Sequence, residues 1–394
     1  MTVAMETKCC IAGGGPAGMM LGVLLARAGI PVVVLEKHAD FLRDFRGDTV
    51  HPSTLEVMYE LGVLDEFLAR PHSELREARG MIGDERVTIA DFTHLPVHAP
   101  FIAMVPQWDF LDFLAREATR FPRFKLRMAA EVSGLLEANG KIAGVRAGAE
   151  AIEAELVIGA DGRHSTVRAL AGLQVETFGA PIDVLWFRLS RGKDDPQSSM
   201  GRFDAGAALV LINRRDYWQC GYVIAKGAAD EVRRAGLAAF RDTLARLLPW
   251  ASDRIHEIAD WERVKLLTVQ IDRLKQWWRP GLICIGDAAH AMSPVGGVGI
   301  NLAIQDAVAA GNILRDKDFS VDRLRKVQRR REWPVRVTQR LQIAVQDRVI
   351  SRVLASAQPL EPPLFFRLAT RFPLLRGIPG RLIGMGIRPE HIAD

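Results

Sequence analysis

The sequence has little cysteine or tyrosine and no long apolar run. Among 394 residues there are four cysteines and three tyrosines. The cysteines form no CxxC pair and no Cys/His cluster, so a zinc site or a disulfide framework is not supported. No run approaches the ~18 apolar residues of a membrane-spanning helix, and residues 1–8 lack the pattern of a signal peptide. These absences predict a cytoplasmic protein with reduced, buried thiols.

The chain is mildly basic, and the basic residues are unevenly distributed. Its net charge is +5, and 48% of its residues are hydrophobic, which is enough for two or three domains. A basic excess is compatible with anionic cofactors or a membrane surface, but no nucleic-acid-binding motif accompanies it. Arginines are concentrated from Arg323 onward. There the pattern predicts a solvated helix over 321–353, and the basic segment 367–376 could make weak peripheral contact with an anionic membrane.

A βαβ unit is predicted at the start of the chain. The apolar run 8–12 leads into Gly13-x-Gly15-x-x-Gly18, a helical pattern follows, and a second apolar run ends at Glu36. The glycines permit a tight turn, backbone approach to a pyrophosphate and close packing of helix on strand. Glu36 is placed to bind ribose hydroxyls. The unit predicts dinucleotide binding without saying which dinucleotide. Because no second such motif follows, the chain either binds only a nicotinamide cofactor or holds a flavin and meets nicotinamide transiently.

Two further strands end in aspartate motifs. The run 282–285 leads into Gly286-Asp287 and a Pro/Gly-rich loop, before a helix predicted over 300–314. Such a bare backbone suits the close approach of a flat or phosphorylated ligand, and the helix start offers free N–H groups. Asp287 is placed to accept hydrogen bonds from ligand hydroxyls. The run 156–160 similarly ends in Asp161-Gly162, with a short helix predicted over 165–170.

Alternating β-strand patterns dominate two other regions. A hairpin is predicted around Asn139-Gly140, a strong turn signal. Strand patterns between residues 181 and 272 indicate an inserted β-rich domain with one helix. The predicted strands there are 184–189, 207–213, 217–225 and 264–271, and the helix is 231–248.

The three glycine- and aspartate-containing motifs occur in a fixed order that resembles the single-component FAD-dependent aromatic hydroxylases, the para-hydroxybenzoate hydroxylase-like flavoprotein monooxygenases. The similarity covers roughly residues 5–315. It implies an α/β fold: a glutathione-reductase-like FAD-binding Rossmann domain with an inserted antiparallel β-sheet substrate domain and C-terminal helices. The corresponding domain boundaries are 1–70, 105–178 and 276–320 for the FAD domain, 71–104 and 179–275 for the substrate domain, and 321–394 for the C-terminal helical segment.

The resemblance also implies roles for individual residues. The three glycines would approach the FAD pyrophosphate, Glu36 would bind the adenosine ribose, and Asp287 would bind the ribityl chain. Asp161 belongs to a motif implicated in both FAD and nicotinamide cofactor binding, and residues 297–301 would lie along the flavin ring. The full predicted set of FAD contacts is Gly13, Gly15, Pro16, Ala17, Gly18, Glu36, Lys37, Arg46, Gln107, Val132, Asp161, Gly286, Asp287, Pro294, Gly297, Val298, Gly299, Ile300 and Asn301.

The activity implied is hydroxylation or epoxidation with NAD(P)H as a transient co-substrate and O2, through a flavin C4a-hydroperoxide. That species requires a site from which water is excluded, and a helix start at residues 299–301 would stabilise the anionic reduced flavin. Two alternatives stay open at this point: an FAD-dependent reductase or dehydrogenase on the same fold, and a non-catalytic flavin-binding protein. The sequence does not distinguish NADH from NADPH, and it leaves the oligomeric state open.

The substrate is predicted to be apolar and aromatic, polycyclic or quinone-like. Hydroxybenzoate hydroxylases carry a Ser/Arg/Tyr set on the substrate sheet, and the comparable run 208–213 has no such residues. No catalytic residue is identified. The pocket candidates comprise strand residues at alternating positions, a histidine that could handle protons and a loop proline: Trp186, Arg188, Trp218, Cys220, Tyr222, His51 and Pro294. Half of any such strand set faces the other way. His290 is predicted to be structural.

Overall fold

The computed structural model describes residues 3–42, 49–364, 366, 369, 372 and 374–393. The predicted FAD contact Arg46 lies outside the described residues, as does half of the basic segment 367–376. No helix in the described ranges combines the length and the apolarity needed to cross a bilayer.

Strands are numbered in chain order. They are β1 (Val3–Ala12), β2 (Val32–Leu35), β3 (Thr49–Val50), β4 (Ser73–Leu75), β5 (Glu77–Ile82), β6 (Glu85–Asp91), β7 (Ile102–Met104), β8 (Phe124–Arg127), β9 (Val132–Ala138), β10 (Lys141–Ala147), β11 (Glu150–Gly159), β12 (Val175–Thr177), β13 (Ile182–Ser190), β14 (Met200–Asp204), β15 (Ala207–Asn213), β16 (Tyr217–Ala225), β17 (Lys265–Leu267), β18 (Asp272–Leu274), β19 (Trp278–Arg279) and β20 (Leu282–Cys284).

Helices are numbered in the same way. They are α1 (Pro16–Arg27), α2 (Pro52–Glu60), α3 (Leu64–Leu68), α4 (Gln107–Ala118), α5 (Thr166–Leu170), α6 (Ala229–Ala235), α7 (Leu237–Leu247), α8 (Gly299–Leu314), α9 (Val321–Val345), α10 (Ser351–Ala355) and α11 (Leu374–Gly384). A π-helical turn, Gln346–Ile350, joins α9 to α10. Short 3-10 turns include Gly286–Ala288 and Val295–Gly297.

The first sheet has the order β19-β20-β11-β1-β2-β8, and β9 and β10 extend it from β11. Strands β20, β11, β1, β2 and β8 run parallel. A parallel sheet is covered on both faces, which explains why its strands read as continuous apolar runs. Cys9 and Ile11 pack in the cluster that contains α1 and α8, whereas Cys10 and Ala12 pack in the cluster on the other face. The predicted βαβ unit is thus the centre of this sheet.

The hairpin predicted around Asn139 and Gly140 is confirmed as β9 and β10. Both turn residues have positive φ, at 51° and 72°, as the two-residue turn that matches the twist of a hairpin requires.

The second sheet has the order β17-β13-β16-β15-β14-β5-β6. It is antiparallel except between β14 and β5, which pair in parallel. Two of its predicted elements were wrong in extent. The strand expected over 264–271 ends at Leu267, and β18 then pairs with β12 outside this sheet. The helix expected over 231–248 is broken into α6 and α7, because Gly236 adopts φ of 95° between them.

Candidate active site

Three loops meet at one edge of the parallel sheet. Strands β1, β11 and β20 are parallel neighbours, so the loops that follow them emerge side by side at their carboxyl ends. These loops contain the glycine-rich turn, the Asp161 motif and the Asp287 motif. In open α/β sheets, ligands bind in the crevice outside the carboxyl ends of the strands. The topology therefore brings together motifs that are far apart in the sequence, from Gly13 to Asp287.

The glycine-rich turn is tightly packed at its two ends and open in its middle. A Cβ atom on Gly13, which has φ of 108°, would lie 2.3 Å from the Ala160 carbonyl oxygen. A Cβ atom on Gly18 would lie 2.0 Å from the Gly13 carbonyl oxygen. Gly15 differs, because a Cβ atom there would meet no other part of the described chain within 4 Å. Gly13 and Gly18 are thus needed for packing, whereas Gly15 faces free space that a ligand could use. Pro16 and Ala17 follow as the first residues of α1.

Glu36 lies directly after β2 and holds the neighbouring backbone. Its carboxylate accepts hydrogen bonds from the backbone N–H groups of Gly14 (3.0 Å) and His38 (3.1 Å). Its carbonyl accepts one from the N–H of Ala130 (2.8 Å), which brings the start of β9 at Val132 close to this loop. Lys37, the next residue, is exposed. Glu36 therefore shapes the glycine-rich turn, whether or not it also binds a ribose.

Asp161 caps the short helix α5. One carboxylate oxygen accepts a hydrogen bond from the Ser165 hydroxyl (2.5 Å), and the other accepts one from the Val167 N–H (3.0 Å). Charged or polar acceptors at a helix start satisfy N–H groups that have no partner inside the helix. This local bonding explains why an aspartate occurs at the end of β11.

Two arginines join the Asp161 motif to the Asp287 motif. The Arg168 guanidinium lies 3.4 Å from the buried Asp272 carboxylate and donates to the Ala288 carbonyl at 3.4 Å. Arg163 lies 3.6 Å from the carboxylate of Asp287, whose side chain is 31% exposed. Neither ion pair could be predicted from the sequence. Asp287 is consequently held in place while part of its carboxylate stays accessible.

In the loop after the Asp287 motif, some small residues are exposed and Ser293 is buried. Pro294 and Gly296 are exposed, whereas Ser293 is buried. Gly297 accepts a hydrogen bond from the Thr49 hydroxyl at 3.0 Å, and Val298 precedes α8. Gly299 and Ile300 begin that helix and are only partly buried. Its first N–H groups thus lie near an open surface, as an electron-rich ligand would require.

Asn301 is buried in this first turn of α8. Its side-chain carbonyl accepts hydrogen bonds from the hydroxyls of Ser53 (2.6 Å) and Thr54 (2.8 Å) in α2. The carboxamide oxygen of Asn301 thus links α2 to α8 through these two hydrogen bonds. A contact between the Asn301 backbone and the flavin remains a prediction.

The most deeply buried part of the site is a charge network that the sequence analysis missed. Asp306 accepts hydrogen bonds from the N–H of Gly286 (3.0 Å) and from Arg331 (2.9 Å), and lies 2.5 Å from Nε2 of His290. Burial alone would raise the pKa of Asp306, but His290 and Arg331 hold it below its usual value. Arg331 also contacts the buried Glu390 at 3.2 Å. The sequence feature that could have indicated this network is Asp306 itself, an aspartate on the apolar face of the predicted helix 300–314.

His51 lies beside the loop, but its surroundings do not favour proton handling. Its side chain is completely buried, and Nδ1 lies 2.8 Å from the Ile383 carbonyl oxygen. Burial lowers the pKa of His51 to about 4, although the bond to Ile383 opposes the shift. The imidazole is therefore neutral at physiological pH, which favours a structural role at the start of α2. Gln107 begins α4, which packs against α1.

The substrate-sheet candidates lie on both faces of the second sheet. Residues directly opposite each other in an antiparallel pair share a face, and Phe187 pairs with Cys220 while Leu185 pairs with Tyr222. Trp218, Cys220 and Tyr222 all pack in the cluster under α7. This corrects the expectation that they line the pocket, because strand alternation turns them away from the Asp287 loop.

Trp186 and Arg188 are on the opposite face, which we call the front face. Trp186 packs over Gly221, and it belongs to the same apolar cluster as Val295 of the Asp287 loop. The Arg188 guanidinium lies 4.8 Å from the ring centroid of Tyr217. The front face and the Pro294 loop therefore form opposite sides of one region, with apolar side chains between them.

The residues at the sheet edge fit FAD. Neighbouring strands are about 4.8 Å apart, so the ends of β2 and β20 are separated by roughly 14 Å. Glu36, Gly15 and Asp287 follow one another across that distance, and the exposed Pro294 and the α8 start continue beyond it. Glu36 and Asp287 would accept hydrogen bonds from the ribose and ribityl hydroxyls, while the open position at Gly15 would admit the pyrophosphate. The helix start would face the electron-rich edge of the flavin.

Comparison with known proteins agrees with an FAD site at this edge of the sheet. Residues 6–316 match a family described as FAD binding domain. The chain is 33% identical to the 6-methylpretetramide 4-monooxygenase of Streptomyces rimosus, over 95% of this chain and 92% of that one. It is 28% identical to the rifampicin monooxygenase of Streptomyces venezuelae, over 76% of this chain and 62% of that one. The structure of the anhydrotetracycline hydroxylase OxyS from Streptomyces rimosus matches with a TM-score of 0.74 at 21% identity, covering 99% of this chain and 78% of that one.

Proposed function

The chain belongs to the FAD-binding-domain family of flavoprotein monooxygenases, and we propose that it hydroxylates a large apolar aromatic compound with fused rings. It is an FAD-dependent monooxygenase, and NAD(P)H is the reductant typical of this family.

The observation that carries the substrate proposal is the composition of the front face. The buried Val184, Ala208 and Val223 pack there with Ile350 and Val353 in one apolar cluster, whose half-buried members include Trp186 and Val295. A flat hydrocarbon framework buries its surface favourably against such side chains. Two relatives of the chain are named as monooxygenases of 6-methylpretetramide and of rifampicin.

Few side chains on the front face could bind the carboxylate of a small acid. Arg188 is exposed and stacks on Tyr217, while Tyr222, the other tyrosine of this sheet, is on the opposite face. A simple phenolic carboxylate would therefore lose its hydration without gaining a matched set of donors. A larger, more apolar substrate avoids this cost.

Each part of the site then has a defined role. Bound FAD supplies the redox chemistry by accepting hydride from NAD(P)H and activating O2. Gly15, Glu36 and Asp287 bind the cofactor, and the N–H groups at the α8 start stabilise negative charge on it. Trp186 and Val295 would orient the substrate and exclude water. The exposed Pro294 presents only its ring, so it places no acidic side chain at this face of the site.

The proposal is tested by turnover with the FAD-loaded protein. NAD(P)H oxidation, oxygen uptake and product mass are measured with fused-ring aromatic compounds, with quinones and with simple phenolic acids as separate panels. We expect stimulated NAD(P)H use and a product heavier by one oxygen with the fused-ring panel. Stimulation by phenolic acids alone would contradict the substrate class.

Two other outcomes would contradict the reaction itself. Substrate turnover without oxygen would indicate a reductase or dehydrogenase, and FAD binding without any NAD(P)H oxidation would indicate a non-catalytic flavin-binding protein. Matched variants then locate the substrate. Trp186→Leu should raise KM for a fused-ring substrate, whereas Tyr222→Phe, on the opposite face, should not.

A further inference from the structure

A row of buried glutamines connects the C-terminal helix α9 to the Asp287 loop. Gln339, Gln342 and Gln346 are 2%, 5% and 0% exposed, respectively. Their spacing places them on one helix face. They lie outside the region 6–316 that matches the FAD-binding family, in a segment that the sequence predicted to be a solvated helix packed on the FAD domain.

Gln342 binds the loop backbone on both sides of Pro294. Its side-chain N–H2 group donates to the carbonyl oxygens of Ser293 (3.0 Å) and Val295 (2.8 Å), and its carbonyl accepts from the Ser293 N–H (3.2 Å). One side chain thus satisfies three backbone groups in succession. Because buried backbone groups are costly to leave unpaired, the loop is held in this one conformation.

The other two glutamines extend the same attachment. Gln339 donates to the carbonyl oxygens of Asp272 (2.8 Å) and Ala291 (3.1 Å). Gln346 donates to the hydroxyl oxygen of Ser293, which in turn accepts a hydrogen bond from the Val295 N–H. The loop is therefore fastened from residue 291 to residue 295, while Pro294 itself stays exposed.

The chain beyond α9 also contacts the front face of the substrate sheet. After the π-helical turn Gln346–Ile350, Ile350 and Val353 pack with Val184 and Val223. π-Helical turns are rare and are frequent at functional sites. One continuous helical segment thus contacts both the loop beneath the proposed substrate position and the sheet opposite it.

We propose that Gln342, supported by Gln339 and Gln346, is a positioning residue that fixes the Pro294 loop against the flavin and sets the spacing between loop and front face. The inference rests on the proposed monooxygenase function. It makes the C-terminal helix part of the active site, although the helix supplies no group that touches the reacting atoms. Loosening the loop would admit water and misplace the substrate.

The matched control is Gln328, a buried glutamine on the same helix. It accepts from the Trp277 N–H (3.1 Å) and donates to the Lys275 carbonyl (3.1 Å), so it also binds the backbone of a connecting segment. That segment is the one between β18 and β19, away from Pro294. Both glutamines are buried, so Gln342→Met and Gln328→Met remove the same kind of side-chain-to-backbone bonds at different places, three at Gln342 and two at Gln328.

The experiment compares these variants in the FAD-loaded protein. We expect Gln342→Met to form less product per NAD(P)H oxidised than the wild type, with peroxide replacing product, because a misplacement of about 1 Å can cost roughly a hundredfold in rate. Its bound-FAD absorption spectrum should also shift. Gln328→Met should match the wild type in both respects. Equal coupling and equal spectra in the two variants would overturn the inference.

A second variant and a spectral measurement cover the cases in which Gln342→Met does not fold or the wild type forms no product. If Gln342→Met does not fold, Ser293→Ala removes the Gln346 contact with a smaller change, and it should show the same uncoupling and spectral shift. If the wild type forms no hydroxylated product, the proposed function fails, but the spectra of bound FAD still test the loop: a shift specific to Gln342→Met supports the inference, and its absence contradicts it.

Discussion

Nε2 of His290 lies 2.5 Å from a carboxylate oxygen of Asp306, and both side chains are inaccessible to solvent. The contact joins the Asp287 motif to the middle of α8. The same carboxylate binds the Gly286 N–H and the Arg331 guanidinium, so one buried anion fixes the strand end, the helix and the C-terminal segment together. Loss of this anion should therefore affect both stability and cofactor binding.

We predict that Asp306→Asn destabilises the protein by about 3 kcal/mol, because it removes the charged partner of the buried His290 and one of the two carboxylates that pair with the buried Arg331. The free energy of unfolding of the apoprotein in urea measures this effect, and FAD release from the holoprotein should become faster. Asp322→Asn is a suitable control, since its exposed ion pair with Arg325 is worth little. An Asp306→Asn protein as stable as that control would show that the network is not a stabilising one.

A second prediction concerns pH and His51. Its pKa is lowered from 6.5 to about 4 in the folded state, so the unfolded chain binds the proton more readily. The contribution of the neutral His51 to the free energy of unfolding is therefore fully present above pH 6.5. It is lost as the pH falls towards about 4, and the loss amounts to at most about 3 kcal/mol. We expect His51→Gln to remove this component from the pH dependence of urea unfolding. The exposed His94→Gln should retain it, and identical slopes for all three proteins would contradict the assignment.

The glycine-rich turn permits a test that separates folding from cofactor binding. Gly15 has φ of −74° and free space around its missing side chain, so Gly15→Ala should destabilise the apoprotein in urea only by the cost of alanine at the N-cap of α1, at most about 1 kcal/mol. Since a methyl group there would stand where we place the pyrophosphate, FAD affinity should fall by roughly tenfold, or about 1.4 kcal/mol. Fluorescence titration with FAD measures it.

Gly18→Ala is the contrasting variant. Its methyl group would lie 2.0 Å from the Gly13 carbonyl oxygen, so the turn itself must move and the apoprotein should be destabilised. If Gly15→Ala bound FAD as tightly as the wild type, the pyrophosphate would have to lie elsewhere.

A fourth prediction follows from the cysteines. All four are buried and free, and burial raises the thiol pKa of each, that of Cys10 to about 12. Thiolates are the reactive form, so a chromogenic thiol reagent should label none of them in the native apoprotein and all four in urea. Rapid labelling of the native protein at the rate of free cysteine would mean that β1, β16 or β20, the strands that contain the four cysteines, open readily.

The sequence predicted the parallel sheet and the edge where the motifs meet, because each glycine or aspartate follows an apolar run that identifies its own strand. It did not predict the faces of the second sheet, since alternation assigns Trp186 and Trp218 to opposite sides only once the register between β13 and β16 is known. The roles of Asp306 and Gln342 could not be predicted either. Their partners are 16 and about 50 positions away, and only the packing of α8 and α9 on the loop brings them together.

The final prediction concerns Asp287. If its partly exposed carboxylate binds the ribityl hydroxyls, Asp287→Ala should weaken FAD retention by roughly tenfold or more, because hydrogen bonds to a charged acceptor contribute about 1.5–3 kcal/mol. The loss could instead come from the ion pair with Arg163, 3.6 Å away. Arg163→Met removes that pair and leaves the carboxylate in place, so it should retain FAD much better than Asp287→Ala does. Gel filtration followed by absorbance gives the bound FAD for both variants. Equal losses in the two would assign the effect to the ion pair, and unaltered retention in Asp287→Ala would show that the ribityl contact is misplaced.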